Sequence, residues 1–170
     1  MKANVLAPAS KHFALHLLAL ATAASALVLT SCNKDKDDPK PKTKTELLTA
    51  KNWRVTAEVT TVVANGTTTT EDEYAQYEAC QKDDYLKLET NKVVKFDEGA
   101  LKCDGNPQTQ TGTWDFNSDQ TKISLSNSEF GPLVVPFEIV DLTETTLKVK
   151  VTIVSTPESS TTVAYTYTAF

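Results

Sequence analysis

Hydrophobic and polar residues alternate along most of the chain from Trp53 to the C-terminus. An alternation with a period of two predicts an extended strand that has one face in a core and the other in solvent. The first such segment, residues 53–63, alternates around Val55, Ala57, Val59 and Thr61. Further short segments carry apolar residues with this period, and they centre on Leu86, Val94, Trp114, Ile123, Phe137, Val149 and Tyr165. The pattern therefore predicts an all-β domain of about eight antiparallel strands.

Turn residues separate these segments. Asn65-Gly66 is the strongest hairpin signal, and residues 91–92 and 117–119 mark two further turns. One short helix is predicted before the first strand, over residues 45–51, with Thr45 as its N-cap and Leu47 and Leu48 facing inward. Residues 71–82 are acidic and loop-like. Short strands that follow one another favour an up-and-down meander closed into a barrel, or else a sandwich. An eight-stranded barrel can hold one small ligand.

An apolar run without charge extends from residue 13 to residue 29, behind the basic residues Lys2 and Lys11. This arrangement indicates an export signal, and the run is slightly short for a membrane-spanning helix of about 20 residues. The run ends in Leu-Thr-Ser-Cys at residues 29–32, which resembles the lipobox of bacterial lipoproteins. The resemblance implies cleavage before Cys32 and lipidation of that cysteine. The alternative is an ordinary secretory signal followed by a structural cysteine.

Residues 33–42 contain no apolar side chain, so they predict an extended, solvated tether. An acidic cluster with lysine directly after the lipidated cysteine also resembles the surface-export signal of Bacteroidota lipoproteins. That resemblance implies an outer-membrane protein displayed on the cell surface, whereas a plain polar spacer would leave it facing the periplasm. The chain thus divides into a signal peptide (1–31), a lipidated cysteine with its tether (32–44) and a β-domain (45–170).

The composition of the mature chain excludes several functions. Removing Lys2 and Lys11 from the 17 basic residues leaves 15 against 22 acidic residues, a net charge of −7. Nucleic-acid binding is therefore not expected, because it depends on neutralising phosphates. Both histidines, His12 and His16, lie in the signal peptide. Without histidine, the mature chain lacks the usual nucleophile pairs and histidine metal sites. We predict no catalytic residue, no metal and no cofactor.

Two cysteines, Cys80 and Cys103, remain in the mature chain besides Cys32. Outside the cytoplasm, an even pair without metal-ligand spacing predicts a disulfide. Such a bridge closes a loop of about two dozen residues and stabilises the fold by about 3 kcal/mol. The alternative, a redox-active or metal-binding pair, lacks both a Cys-x-x-Cys spacing and a histidine partner.

Five stretches of the chain carry a resemblance to a known family: residues 48–55, 80–88, 94–99, 102–104 and 110–114. Their most specific features are a cysteine followed by Lys-Asp-Asp, and a second cysteine ahead of Gly-Thr-Trp. Over residues 47–170 the chain resembles the lipocalin-like domains of Bacteroidota surface lipoproteins. The resemblance implies an up-and-down β-barrel, a Cys80–Cys103 bridge and capture of an apolar ligand, but no chemistry. The wider lipocalin family carries Gly-x-Trp in its first strand, whereas Trp53 follows Lys51-Asn52 here.

The sequence therefore predicts a surface binding module for one small apolar or amphipathic ligand. Candidate ligand-binding residues are Trp53, Phe96, Trp114, Tyr165 and Tyr167, although a packed barrel floor is the favoured interpretation of the two tryptophans. A solid, non-enzymatic interaction module, which contacts a partner protein or a glycan through its loops, is the second hypothesis. A hydrolase would need two facing carboxyl groups, and the adjacent Asp83 and Asp84 point to opposite faces of a strand. The sequence specifies neither the ligand nor the oligomeric state.

Overall fold

The computed structural model describes residues 40–127 and 134–170. The predicted signal peptide, Cys32 and most of the predicted tether lie outside these residues, so cleavage, lipidation and the domain boundaries stay predictions. Within the described ranges, no helix is long and apolar enough to cross a bilayer.

The described residues form nine strands, two short α-helices and one turn of 3-10 helix. The helices are α1 (Lys44–Thr49) and α2 (Ala79–Lys82), and the 3-10 turn is Tyr74–Gln76. The strands are β1 (Asn52–Ala64), β2 (Thr67–Asp72), β3 (Tyr85–Leu88), β4 (Val93–Asp97), β5 (Thr109–Phe116), β6 (Lys122–Asn127), β7 (Val135–Leu142), β8 (Thr146–Thr156) and β9 (Ser159–Ala169).

Eight of these strands close into an antiparallel barrel. From β3 to β9 each strand pairs with the next along the chain, and β1 pairs with β3 on one side and with β9 on the other. This closure confirms the predicted all-β barrel of about eight strands, and it excludes the sandwich. The remaining strand, β2, pairs with the far half of β1 through a hairpin at Asn65-Gly66, where both residues have positive φ. The sequence did not indicate β2 as a strand, because its residues, TTTTED, are exposed and carry no apolar alternation.

Helix α1 begins earlier than the sequence predicted. Its N-cap is Thr43, whose Oγ1 accepts a hydrogen bond from the backbone N–H of Glu46 at 3.2 Å. The Glu46 carboxylate in turn accepts from the backbone N–H of Thr43 at 2.7 Å, which completes a capping box. The prediction of Thr45 as the N-cap is wrong because the third residue after it is Leu48, which cannot make this return bond. Leu48 is fully buried, as the amphipathic pattern predicted.

The end of the barrel next to α1 is filled by side chains, and we call it the barrel floor. Its fully buried residues are Leu48, Trp53, Leu88, Val94 and Trp114. The Trp53 indole N–H donates to the carbonyl oxygen of Leu48 at 2.8 Å, and that of Trp114 donates to the carbonyl of Glu89 at 2.9 Å. Both buried indoles are therefore satisfied. All fully buried core residues belong to one compact unit that ends at Phe170. The barrel therefore has its own hydrophobic core.

Candidate functional site

The half of the barrel away from α1 encloses a cavity of about 400 Å³. Its lining residues are Trp53, Val55, Tyr77, Asp84, Tyr85, Leu86, Phe96, Asp97, Glu98, Pro107, Gln110, Leu125, Val135, Phe137, Tyr165 and Tyr167. Deeper in the barrel, an apolar void of only about 20 Å³ lies between this cavity and the floor. The described part of the barrel is thus hollow in the half away from α1 and filled by side chains at the floor. The cavity volume lies within the range of small-molecule sites.

Strand alternation supplies the apolar walls of the cavity. Leu86 on β3 pairs with Phe96 on β4, so their side chains lie on the same inward face. On the opposite side, the rings of Phe137 and Tyr165 meet edge to face with centroids 6.1 Å apart, and Tyr167 lies 6.1 Å beyond Tyr165. Burial raises the pKa of both tyrosine hydroxyls, so they stay neutral throughout the physiological range.

Four of the five candidate ligand-binding residues line this cavity: Trp53, Phe96, Tyr165 and Tyr167. The fifth, Trp114, is not among the lining residues. It lies near the end of β5 that reaches the barrel floor, where its ring packs edge to face on Phe116 and the Lys92 ammonium sits 4.1 Å from its centroid. Whether the four lining residues bind a ligand stays a prediction.

A β-bulge brings a carboxylate to the inward face of β1, which sequence alternation had missed. Val55 pairs with Tyr167 but Ala57 pairs with Thr166, so the register shifts by one residue between them. Glu58 consequently pairs with Tyr165 and shares its face, whereas alternation around Val55, Ala57 and Val59 predicted Glu58 to point outward. The predicted alternation is therefore wrong beyond Val55.

Glu58 lies against two cavity-lining tyrosines. The Tyr77 hydroxyl donates to Oε2 of Glu58, and Tyr165 is the cross-strand partner of Glu58. Burial, followed by the hydrogen bond and charge of Glu58, raises the pKa of Tyr77 well above its ordinary value. Because the Tyr77 hydroxyl proton is directed at Glu58, the Tyr77 oxygen has only lone pairs left for other partners.

The opening of the cavity, which we call the mouth, carries two carboxylates on the inward face. Asp84 lies two residues before Leu86, and Glu98 lies two residues after Phe96. The Glu98 oxygens accept hydrogen bonds from the Cys103 N–H at 3.2 Å and from the Asn106 side chain at 3.1 Å.

Asp84 differs from Glu98 because its Oδ1 is buried and has no hydrogen-bond partner among the described residues. Burial, together with the charges of Glu98, Asp83 and Asp97, raises the pKa of Asp84 to about 6. Asp84 is therefore ionised at neutral pH and becomes neutral in mildly acidic solution. No group of three or more acidic, cysteine or histidine side chains in the described ranges is placed to hold a metal ion.

The loops at the mouth are held by covalent and polar links. The predicted Cys80–Cys103 disulfide is confirmed; it joins α2 to the loop between β4 and β5 across a Cα–Cα distance of 5.2 Å. Asp83 holds the same loop, since its Oδ2 accepts from the N–H groups of Ala100 and Leu101 at 2.7 and 2.8 Å. Gly99 permits this approach: its φ is +66°, and a Cβ there would lie 2.5 Å from the Asp83 carbonyl oxygen. The mouth is therefore preorganised.

A family model described as a lipocalin-like domain matches residues 49–149, more than half of the chain. The chain belongs to the lipocalin-like family. Proteins with this domain are usually non-enzymatic binding proteins. The matched region begins in α1 and ends within β8, so β9, which closes the barrel against β1, lies beyond it. No curated protein matches the chain.

Proposed function

We propose that this lipocalin-like protein is a non-enzymatic binding module that holds one small apolar or amphipathic molecule in its barrel. The cavity of about 400 Å³ carries the proposal, because a solid barrel would have left no room for a ligand. A water molecule occupies about 30 Å³, so the cavity has the volume of roughly a dozen water-sized groups. Its aromatic and aliphatic walls suit an apolar body, and the polar groups at the mouth suit a polar end.

Two variants at valine positions test where the ligand binds. Val55→Trp places an indole inside the cavity, whereas Val154→Trp places the same group on a strand position that is 70% exposed. The fragment of residues 33–170 is incubated with a lipid and metabolite extract of the source bacterium and then examined by native mass spectrometry. We expect a discrete adduct on the wild type and on Val154→Trp, and none on Val55→Trp.

Two outcomes would contradict the proposal. An adduct that survives in Val55→Trp would place the ligand outside the cavity. A wild-type fragment that never acquires an adduct would favour the second hypothesis, a module that contacts a partner protein or a glycan through its loops. Circular dichroism of both tryptophan variants shows whether either has lost the barrel.

We also propose that Cys32 carries a lipid anchor that holds the barrel at the outer membrane, on the outer face. The lipobox at residues 29–32 and the charged, apolar-free stretch after it support this proposal. Several acyl chains on one residue bind a membrane stably, whereas a single chain binds it only marginally. We expect Cys32→Ser to release the protein from the membrane fraction, and protease added to intact cells to degrade the wild type. Full protection from the protease would place the barrel on the periplasmic face.

A further inference from the structure

The charged residues that line the cavity, among those the structure describes, are all acidic. Asp84, Asp97 and Glu98 are among the residues that line the cavity, with the Asp84 and Glu98 carboxylates on its inward face, and the lining residues in the described ranges include no lysine or arginine. The only arginine of the chain, Arg54, lies with its guanidinium 4.3 Å from the centre of the Phe170 ring and is not a lining residue. An anionic ligand would therefore meet carboxylates without a compensating cation, while a cationic ligand would be attracted.

The neutral polar groups of the lining add to this preference. Tyr77 directs its hydroxyl proton at Glu58, so its oxygen acts as an acceptor for any further partner. Oδ1 of Asp84 is buried and lacks a donor among the described residues. An unpaired buried acceptor is costly, and a ligand that donates a hydrogen bond or carries positive charge relieves that cost.

The aromatic walls favour a cation for a separate reason. Phe96, Phe137, Tyr165 and Tyr167 surround the same cavity that the carboxylates border. The negative face of an aromatic ring attracts an ammonium group within about 6 Å, and the attraction grows when the site excludes water. Aromatic rings combined with carboxylates form a site for organic ammonium ions, whereas an anion gains from neither.

We infer that the barrel selects an amphipathic organic cation, with its apolar body against the aromatic walls and its ammonium group facing Asp84 and Glu98. This inference rests on the proposed function, because it requires the cavity to bind a small molecule. It adds the sign of the ligand's charge and the carboxylates that recognise it.

Three probes with the same alkyl chain test this selection: decyltrimethylammonium, decanol and decanoate. Isothermal titration calorimetry of the 33–170 fragment is performed near neutral pH, in low salt and below the micellar concentration. We expect decyltrimethylammonium to bind about tenfold more tightly than decanol, and decanoate to bind more weakly than both. Equal or tighter binding of decanol or decanoate would overturn the charge selection and leave the cavity as a general apolar site. If none of the three binds, both the inference and the proposed cavity function are wrong.

Matched carboxylate variants locate the selecting charge. Asp84→Asn removes a charge at the mouth, while Asp141→Asn makes the same change at an exposed position on β7 outside the cavity lining. We expect the first to weaken decyltrimethylammonium binding about tenfold and decanol binding much less, and the second to change neither. Equal weakening by both variants would show that net charge alone attracts the cation, which would overturn the inference. Glu98→Gln provides a second mouth variant if circular dichroism shows that Asp84→Asn has not folded.

Discussion

Removing the Cys80–Cys103 disulfide should destabilise the barrel, by an amount that depends on the number of residues between the two cysteines. The two cysteines are 23 residues apart, so the bond closes a loop of about two dozen residues in the unfolded chain. The loss of chain entropy for a loop of this length corresponds to about 3.5 kcal/mol at room temperature. The double variant Cys80→Ser/Cys103→Ser should lose this contribution from its free energy of unfolding.

Urea unfolding of the 33–170 fragment, followed by tryptophan fluorescence, measures this loss. An m value of about 1.5 kcal/mol/M would convert 3.5 kcal/mol into a midpoint lower by about 2 M urea. Each curve needs its own m value, because the variant lacks the crosslink and its unfolded state exposes more surface. The wild type measured in reductant should match the double variant, and reductant should leave the double variant unchanged.

A destabilisation below about 1 kcal/mol would refute the loop-entropy reasoning for this barrel. Asp83, which holds the same loop by hydrogen bonds to two backbone N–H groups, would then be the stronger link at the mouth. A shift of the double variant in reductant would show that the reductant acts on something other than the disulfide.

Four further predictions concern single positions. Gly99→Ala should destabilise the fold by more than about 2 kcal/mol, because its Cβ would meet the Asp83 carbonyl oxygen at 2.5 Å. Gly66→Ala should cost only the strain of positive φ, about 1 kcal/mol, since its Cβ would meet nothing within 4 Å, and thermal unfolding compares the two. Thr43→Ala should remove the α1 cap and cost about 1 kcal/mol by the same measurement; an unchanged melting temperature would contradict the capping role. Asp84 has a folded pKa of about 6 against an ordinary value of 3.8, so the folded state binds more protons than the unfolded state between these values. Its contribution to the unfolding free energy should therefore fall as pH rises through this window, and Asp84→Asn, compared with wild type by urea unfolding, should remove that fall.

Much of the fold could be predicted from local patterns. A period of two is a property of neighbouring residues, so strands β3–β9 were visible as alternating segments without knowledge of their partners. The Asn65-Gly66 turn was likewise predictable, because few residues other than Asn and Gly adopt positive φ at low cost. The disulfide followed from counting cysteines in a chain with a predicted export signal, which requires no geometry.

The candidate site was less predictable because it depends on register between distant strands. The bulge in β1 is visible only in the pairing of β1 with β9, where the Thr56 hydroxyl donates to the Thr166 carbonyl. These two residues are 110 positions apart in the sequence. That bulge decides whether Glu58 faces inward. Trp53 and Trp114 are both fully buried aromatic residues on strands, and only the tertiary structure shows that Trp53 also lines the cavity whereas Trp114 does not.

The sequence by itself determined the β-rich architecture, the hairpin, the cysteine pair and the absence of histidine after residue 16. Each of these depends on residue identity or on spacing over a few positions. The tertiary structure alone decided that the barrel is hollow above its floor, that Asp84 and Glu98 reach the same mouth, and that Glu58 lies against two tyrosines. A cavity is the space that side chains from many strands leave unfilled, so its volume and charge emerge only when those strands are packed together.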